Sequence, residues 1–95
     1  MTDLEPHRLQ ARGRMAELQD DIRILTRARS NLVRPLSERL CRYRQAGLAG
    51  RLDCQTARDE LAAVERAEAA LAEAVDDYNR LATGLGLPGL KRRGY

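Results

Sequence analysis

One histidine, two cysteines and two adjacent aspartate pairs are the side chains in this 95-residue sequence whose types could do chemistry. His7 has no acid or cysteine at a catalytic spacing, so it reads as a solvated surface imidazole. Asp20-Asp21 and Asp76-Asp77 are sequence neighbours, and neighbours on a helix point about 100° apart, which denies each pair a shared proton. Cys41 and Cys54 are the only cysteines, and with a single histidine they cannot complete a four-ligand zinc framework within one chain. They flank a short loop and could bridge if their Cα atoms came within about 7 Å. The N-terminal residues carry acids and no apolar run, so no secretory signal is read and two reduced thiols are expected. Phosphate-binding, nucleophile-elbow and metalloprotease motifs are absent. No catalytic residue, metal ligand or cofactor is expected, and the chain reads as a non-enzyme.

The arginines are the other chemical resource. Residues 1–50 hold ten arginines against six acids, and residues 51–84 hold four against eight. Lys91, Arg92 and Arg93 then close a chain of net charge +3. Within 22–45, Arg23, Arg27, Arg34, Arg39, Arg42 and Arg44 stand with Glu38 as the lone acid. The favoured reading pairs this basic segment with the acidic one inside the chain. The alternative is a small regulator or adaptor that meets nucleic acid or a protein through Arg23, Arg27, Arg34 and the basic tail Lys91, Arg92 and Arg93. Against it, no Phe or Trp is available for stacking on bases.

These residues must be positioned by helices. Apolar residues make up 43% and charged residues 33%, dominated by Ala, Leu, Arg and Glu, which is a helical profile. Thr2 and Glu5 have the spacing of a capping box ahead of Pro6. A helix is predicted over about 4–45 with a kink near Pro35, then a loop over 46–52 containing Gly47 and Gly50. Asp53 is the expected N-cap of a second helix over about 53–83. Gly84, Gly86, Pro88 and Gly89 end it, leaving an irregular basic tail over 84–95. All of this fits one small domain.

Apolar periodicity fixes how the helices meet. Ala57, Val64, Leu71, Tyr78 and Leu85 recur every seven residues, with Leu61, Val75 and Ala82 on the companion series. Met15, Leu18, Ile22, Leu25, Leu32, Leu36 and Tyr43 follow the same three-and-four spacing. The fold class is therefore all-α, an antiparallel two-helix coiled-coil hairpin. Folding about the Gly47–Gly50 loop sets Met15 opposite Ala82, Ile22 opposite Val75, Leu36 opposite Leu61 and Tyr43 opposite Cys54. Each seam is breached by one charge, Arg29 in the first and Glu68 in the second, and the same register sets them opposite one another. The two are expected to pair and fix the register, the other reading being that each snorkels to water. Ala63, Ala67, Ala70 and Ala74 lie beside the second seam. They serve either as plain helix formers or as a smooth face for another helix. A hairpin this small needs staples or partners, so a homo-oligomer or a helical protein partner is expected, completing a four-helix bundle or larger assembly.

Residues 22–89 resemble the coiled-coil hairpin repeat of TolC-like outer-membrane efflux proteins, especially the heavy-metal branch. The residues that carry this are Val33-Arg34-Pro35-Leu36, Arg42-Tyr43-Arg44-Gln45-Ala46-Gly47 and Ala67-Glu68-Ala69-Ala70-Leu71-Ala72-Glu73-Ala74. They continue in Asp77-Tyr78-Asn79-Arg80-Leu81 and Leu85-Gly86-Leu87-Pro88-Gly89. The resemblance implies a helical hairpin built for assembly, but not a channel, since the second repeat and the barrel strands of such proteins have no counterpart here. Without a signal or an 18-residue apolar run, the chain as written is expected in the cytoplasm with no membrane insertion. A periplasmic place is implied only if it is a fragment of an efflux protein.

Overall fold

The computed structural model describes residues 4–95, with side chains from Glu5 onward. Among the described residues stand two α-helices and no strand. Helix α1 spans Leu4–Ala46, a 3-10 turn spans Gly47–Ala49, and helix α2 spans Cys54–Gly84. The expected capping box needs Thr2, which lies outside the described residues. Pro35 does not break α1. Its ring removes one backbone donor, but Asn31 and Pro35 are both exposed, so water can take the carbonyl left without a helical partner.

The chain divides into two compact units. A core unit joins α1 up to Ile24 with Leu71–Tyr95, and a turn unit comprises Leu25–Ala70. In the core unit, Met15 and Leu18 of α1 are buried with Leu71, Ala74, Val75, Tyr78 and Ala82 of α2. The α2 members are three and four residues apart, which puts them on one stripe of the helix. Burying each of the larger side chains contributes about 1.5–3 kcal/mol. Ala74 thus belongs to the internal core and not to an open alanine face.

Helix α2 ends in a left-handed cap. Gly86 sits at φ +68°, a conformation that costs a residue with a Cβ. Its N–H donates to Thr83 O at 3.1 Å, and the Leu87 N–H reaches Ala82 O at 2.8 Å. The segment beyond is less irregular than its composition suggests. Asn79 Nδ2 donates to Leu90 O at 2.9 Å, and the Leu90 N–H donates back to Asn79 Oδ1 at 2.6 Å. Gly89 permits this close approach, since a Cβ there would lie 2.7 Å from Asn79 Oδ1.

The turn unit is a helical hairpin in its own right. Gly47 takes φ +58°, and the Gly50 N–H donates to Gly47 O at 3.0 Å. Asp53 caps α2: its Oδ1 accepts from the Thr56 N–H at 3.0 Å and its Oδ2 from Thr56 Oγ1 at 2.7 Å. Those bonds hold the Asp53 carboxyl below the usual carboxylate range, the Thr56 hydroxyl contributing most. No residue of the turn unit is buried.

Candidate functional site

The turn unit holds its two helices together with charge. Arg29 Nη1 donates to Glu68 Oε1 at 2.7 Å, bringing together the two seam breaches. A second cross-helix pair, Arg39 Nε to Glu60 Oε1 at 2.7 Å, went unread in the sequence. Its signal was present: Arg39 is three residues after Leu36 and four before Tyr43, so it occupies the seam itself. The hydrogen bond to Glu60 raises the Arg39 pKa above its ordinary value, aided by the attraction of Glu60 and Asp53 and opposed by desolvation. Glu60 is the more covered acid, its side chain 16% exposed against 43% for Glu68.

Large apolar side chains remain exposed in the same unit. Leu32, Val33, Leu40, Tyr43 and Leu61 are all in this class. Val33, Leu36 and Leu40 are spaced three and four apart on α1 and form one stripe. The Arg29–Glu68 contact places Leu61 across from Leu36, because each lies seven residues further toward the turn. Of the expected alanine face, Ala63 and Ala67 are half-buried and Ala70 is exposed, while Ala74 is taken up by the core unit.

The expected basic contact residues fall in both units. Arg23, in the core unit, is engaged by Asp20 at 2.9 Å, and Lys91, Arg92 and Arg93 are exposed there. Arg27 and Arg34, in the turn unit, are exposed. Seven residues apart, they share one side of α1.

Where α1 turns toward α2, the chain encloses an open cleft of about 300 Å³. Arg39, Arg42, Tyr43, Gly50, Arg51 and Asp53 help to line it. Cys41 and Cys54 are free and exposed, and His7 is exposed. Among the described residues no cluster of His, Cys, Asp and Glu could hold a metal ion. No helix among them is long and apolar enough to cross a membrane.

Comparison with family models, with curated proteins and with solved structures finds no match.

Proposed function

We propose that this chain is a non-enzymatic helical-hairpin assembly module in which the turn unit packs against a second copy to complete a four-helix bundle. One observation carries the reading: the turn unit buries no residue, yet it exposes Val33, Leu40 and Leu61 at 39%, 44% and 47%. Two helices packed along one narrow seam leave such side chains half in water, and a second pair of helices covers them. Charge favours a second copy as the occupant. Residues 25–46 of α1 carry six arginines against one acid, and residues 54–70 of α2 carry four acids against two arginines. A two-fold, isologous contact brings each basic helix onto the other copy's acidic helix. The resemblance to the coiled-coil hairpins of efflux proteins is in keeping with this role.

Sedimentation equilibrium at tens of micromolar tests it, with Val33→Glu/Leu40→Glu as the partner-blind variant. The wild type is expected as a dimer and the variant as a folded monomer. A wild-type monomer with full helicity removes the proposal. A second reading, contact with nucleic acid, is favoured by the exposed Arg27 and Arg34 and by the basic tail. It requires binding that falls steeply with salt, and no binding at low salt ends it.

A further inference from the structure

The cleft beside the Gly47–Gly50 turn is lined by none of the stripe residues Val33, Leu36 and Leu40. Arg39, Arg42 and Arg51 line it together with Tyr43 and one acid, Asp53. We propose that this cleft binds a phosphate group, with Arg42 and Arg51 as its principal ligands.

Several of the lining charges are already committed. Both oxygens of Asp53 accept hydrogen bonds from Thr56, so the carboxylate is turned to capping α2 and its charge is partly spent there. Arg39 uses its Nε on Glu60. The guanidinium is planar and forked, so a bond at Nε leaves its Nη groups to point elsewhere. Arg42 is held only loosely: its Nη2 lies 3.7 Å from Glu38 and its side chain is 79% exposed. Arg51 is exposed and takes part in none of the ion pairs found among the described residues. The lining thus has two more cationic than anionic groups, in a space of about 300 Å³, the lower end of the usual range for small-ligand sites.

That inventory favours a dianion over a monoanion. A carboxylate would be satisfied by one bidentate arginine. A phosphate presents three acceptor oxygens and close to two charges, enough to engage Arg42 and Arg51 together. Backbone geometry keeps the mouth in shape. Gly50 sits so close under α1 that a Cβ would lie 2.9 Å from Tyr43 O, and the Gly47 bond fixes the same corner. Tyr43 is among the lining residues, and an aromatic side chain there suits a phosphate attached to a larger, planar body.

The test titrates the whole chain at low ionic strength with three probes, inorganic phosphate, adenosine monophosphate and acetate, followed by calorimetry and by Arg side-chain NMR. Saturable binding of one phosphate per chain is expected, with acetate much weaker. Arg42→Gln/Arg51→Gln should weaken phosphate binding about tenfold or more, as expected for the loss of two charge-assisted contacts. Arg8→Gln/Arg12→Gln removes the same charge in the core unit, where both side chains are exposed, and should leave binding unchanged. All four arginines sit at the surface, so circular dichroism should show both variants folded. Adenosine monophosphate binding more tightly than inorganic phosphate assigns the source as a nucleotide, and equal affinity assigns it as the free ion. Equal loss in both double variants, equal affinity for acetate, or no saturation by any phosphate overturns the proposal.

Discussion

The core unit and the turn unit are built from the same two helices and the same seven-residue apolar pattern, yet they are held by different forces. In the core unit seven side chains leave the solvent, and no ion pair between the two helices is found among its described residues. In the turn unit nothing is buried, and two arginine–glutamate pairs bridge the helices. The difference comes from what fills the seam. Met15 and Leu18 face a stripe that alternates the small Ala74 and Ala82 with Leu71, Val75 and Tyr78, so helices can approach closely and interlock. Arg29 and Arg39 cannot be buried unpaired, so they hold that part of the seam partly open to water. Polar pairs specify which residues face each other, whereas packing supplies most of the stability.

Removing packing from the core unit should have the largest effect. Leu71→Ala is expected to cost about 2–5 kcal/mol, read as a loss of unfolding free energy by urea denaturation. Leu61→Ala in the turn unit of a monomeric chain should cost well under that. Comparable costs would erase the distinction between the units.

Asn79→Ala comes next. It removes both bonds to Leu90, for an expected loss of about 1 kcal/mol, and frees Lys91–Tyr95 for limited proteolysis at the basic tripeptide. Wild-type resistance in the variant would mean the clasp does not hold the tail.

Smaller still is the coupling between Arg29 and Glu68. A double-mutant cycle with alanine at both positions should give about 0.5–1 kcal/mol at low salt, decreasing as salt is added. The Arg39–Glu60 cycle should show stronger coupling with weaker salt dependence, because Glu60 is better shielded from water. Zero coupling in both cycles would remove charge as the organiser of the turn unit.

The smallest expected effect concerns pH. Asp53 has a folded pKa below its unfolded one, so the stability it adds is complete above the unfolded pKa and is lost as pH falls through the folded one. Thermal midpoints measured from about pH 5 down to about pH 2 should fall with acid in the wild type. Asp53→Asn should flatten part of that slope. Parallel slopes would show that the cap carries no proton linkage.

Much of the fold is legible in the residues themselves. Gly47 and Asp53 mark the turn because left-handed and capping conformations demand particular residues, and Gly50 because a Cβ there would meet Tyr43 O. The buried stripe of α2 follows from three-and-four spacing. The two arginines in the seam are equally visible in that spacing, although Arg39 is easily passed over between Leu36 and Tyr43. Other features could not be read in advance. Ala74 looks like a surface alanine, because a small apolar residue beside a seam is equally at home in a core or on a smooth face. Only the proximity of the helices decides which. The Asn79–Leu90 clasp joins residues eleven apart through a glycine whose role depends on a contact, and no local signal announces it. The cleft arises where three chain segments meet, and composition alone cannot place its arginines side by side.

Amide hydrogen exchange followed across a range of protein concentrations tests most directly whether the turn unit is finished by a second copy. Protection of residues 54–70 should rise with concentration while that of residues 71–82 stays constant. Equal protection in both segments, unchanged by dilution, would contradict it.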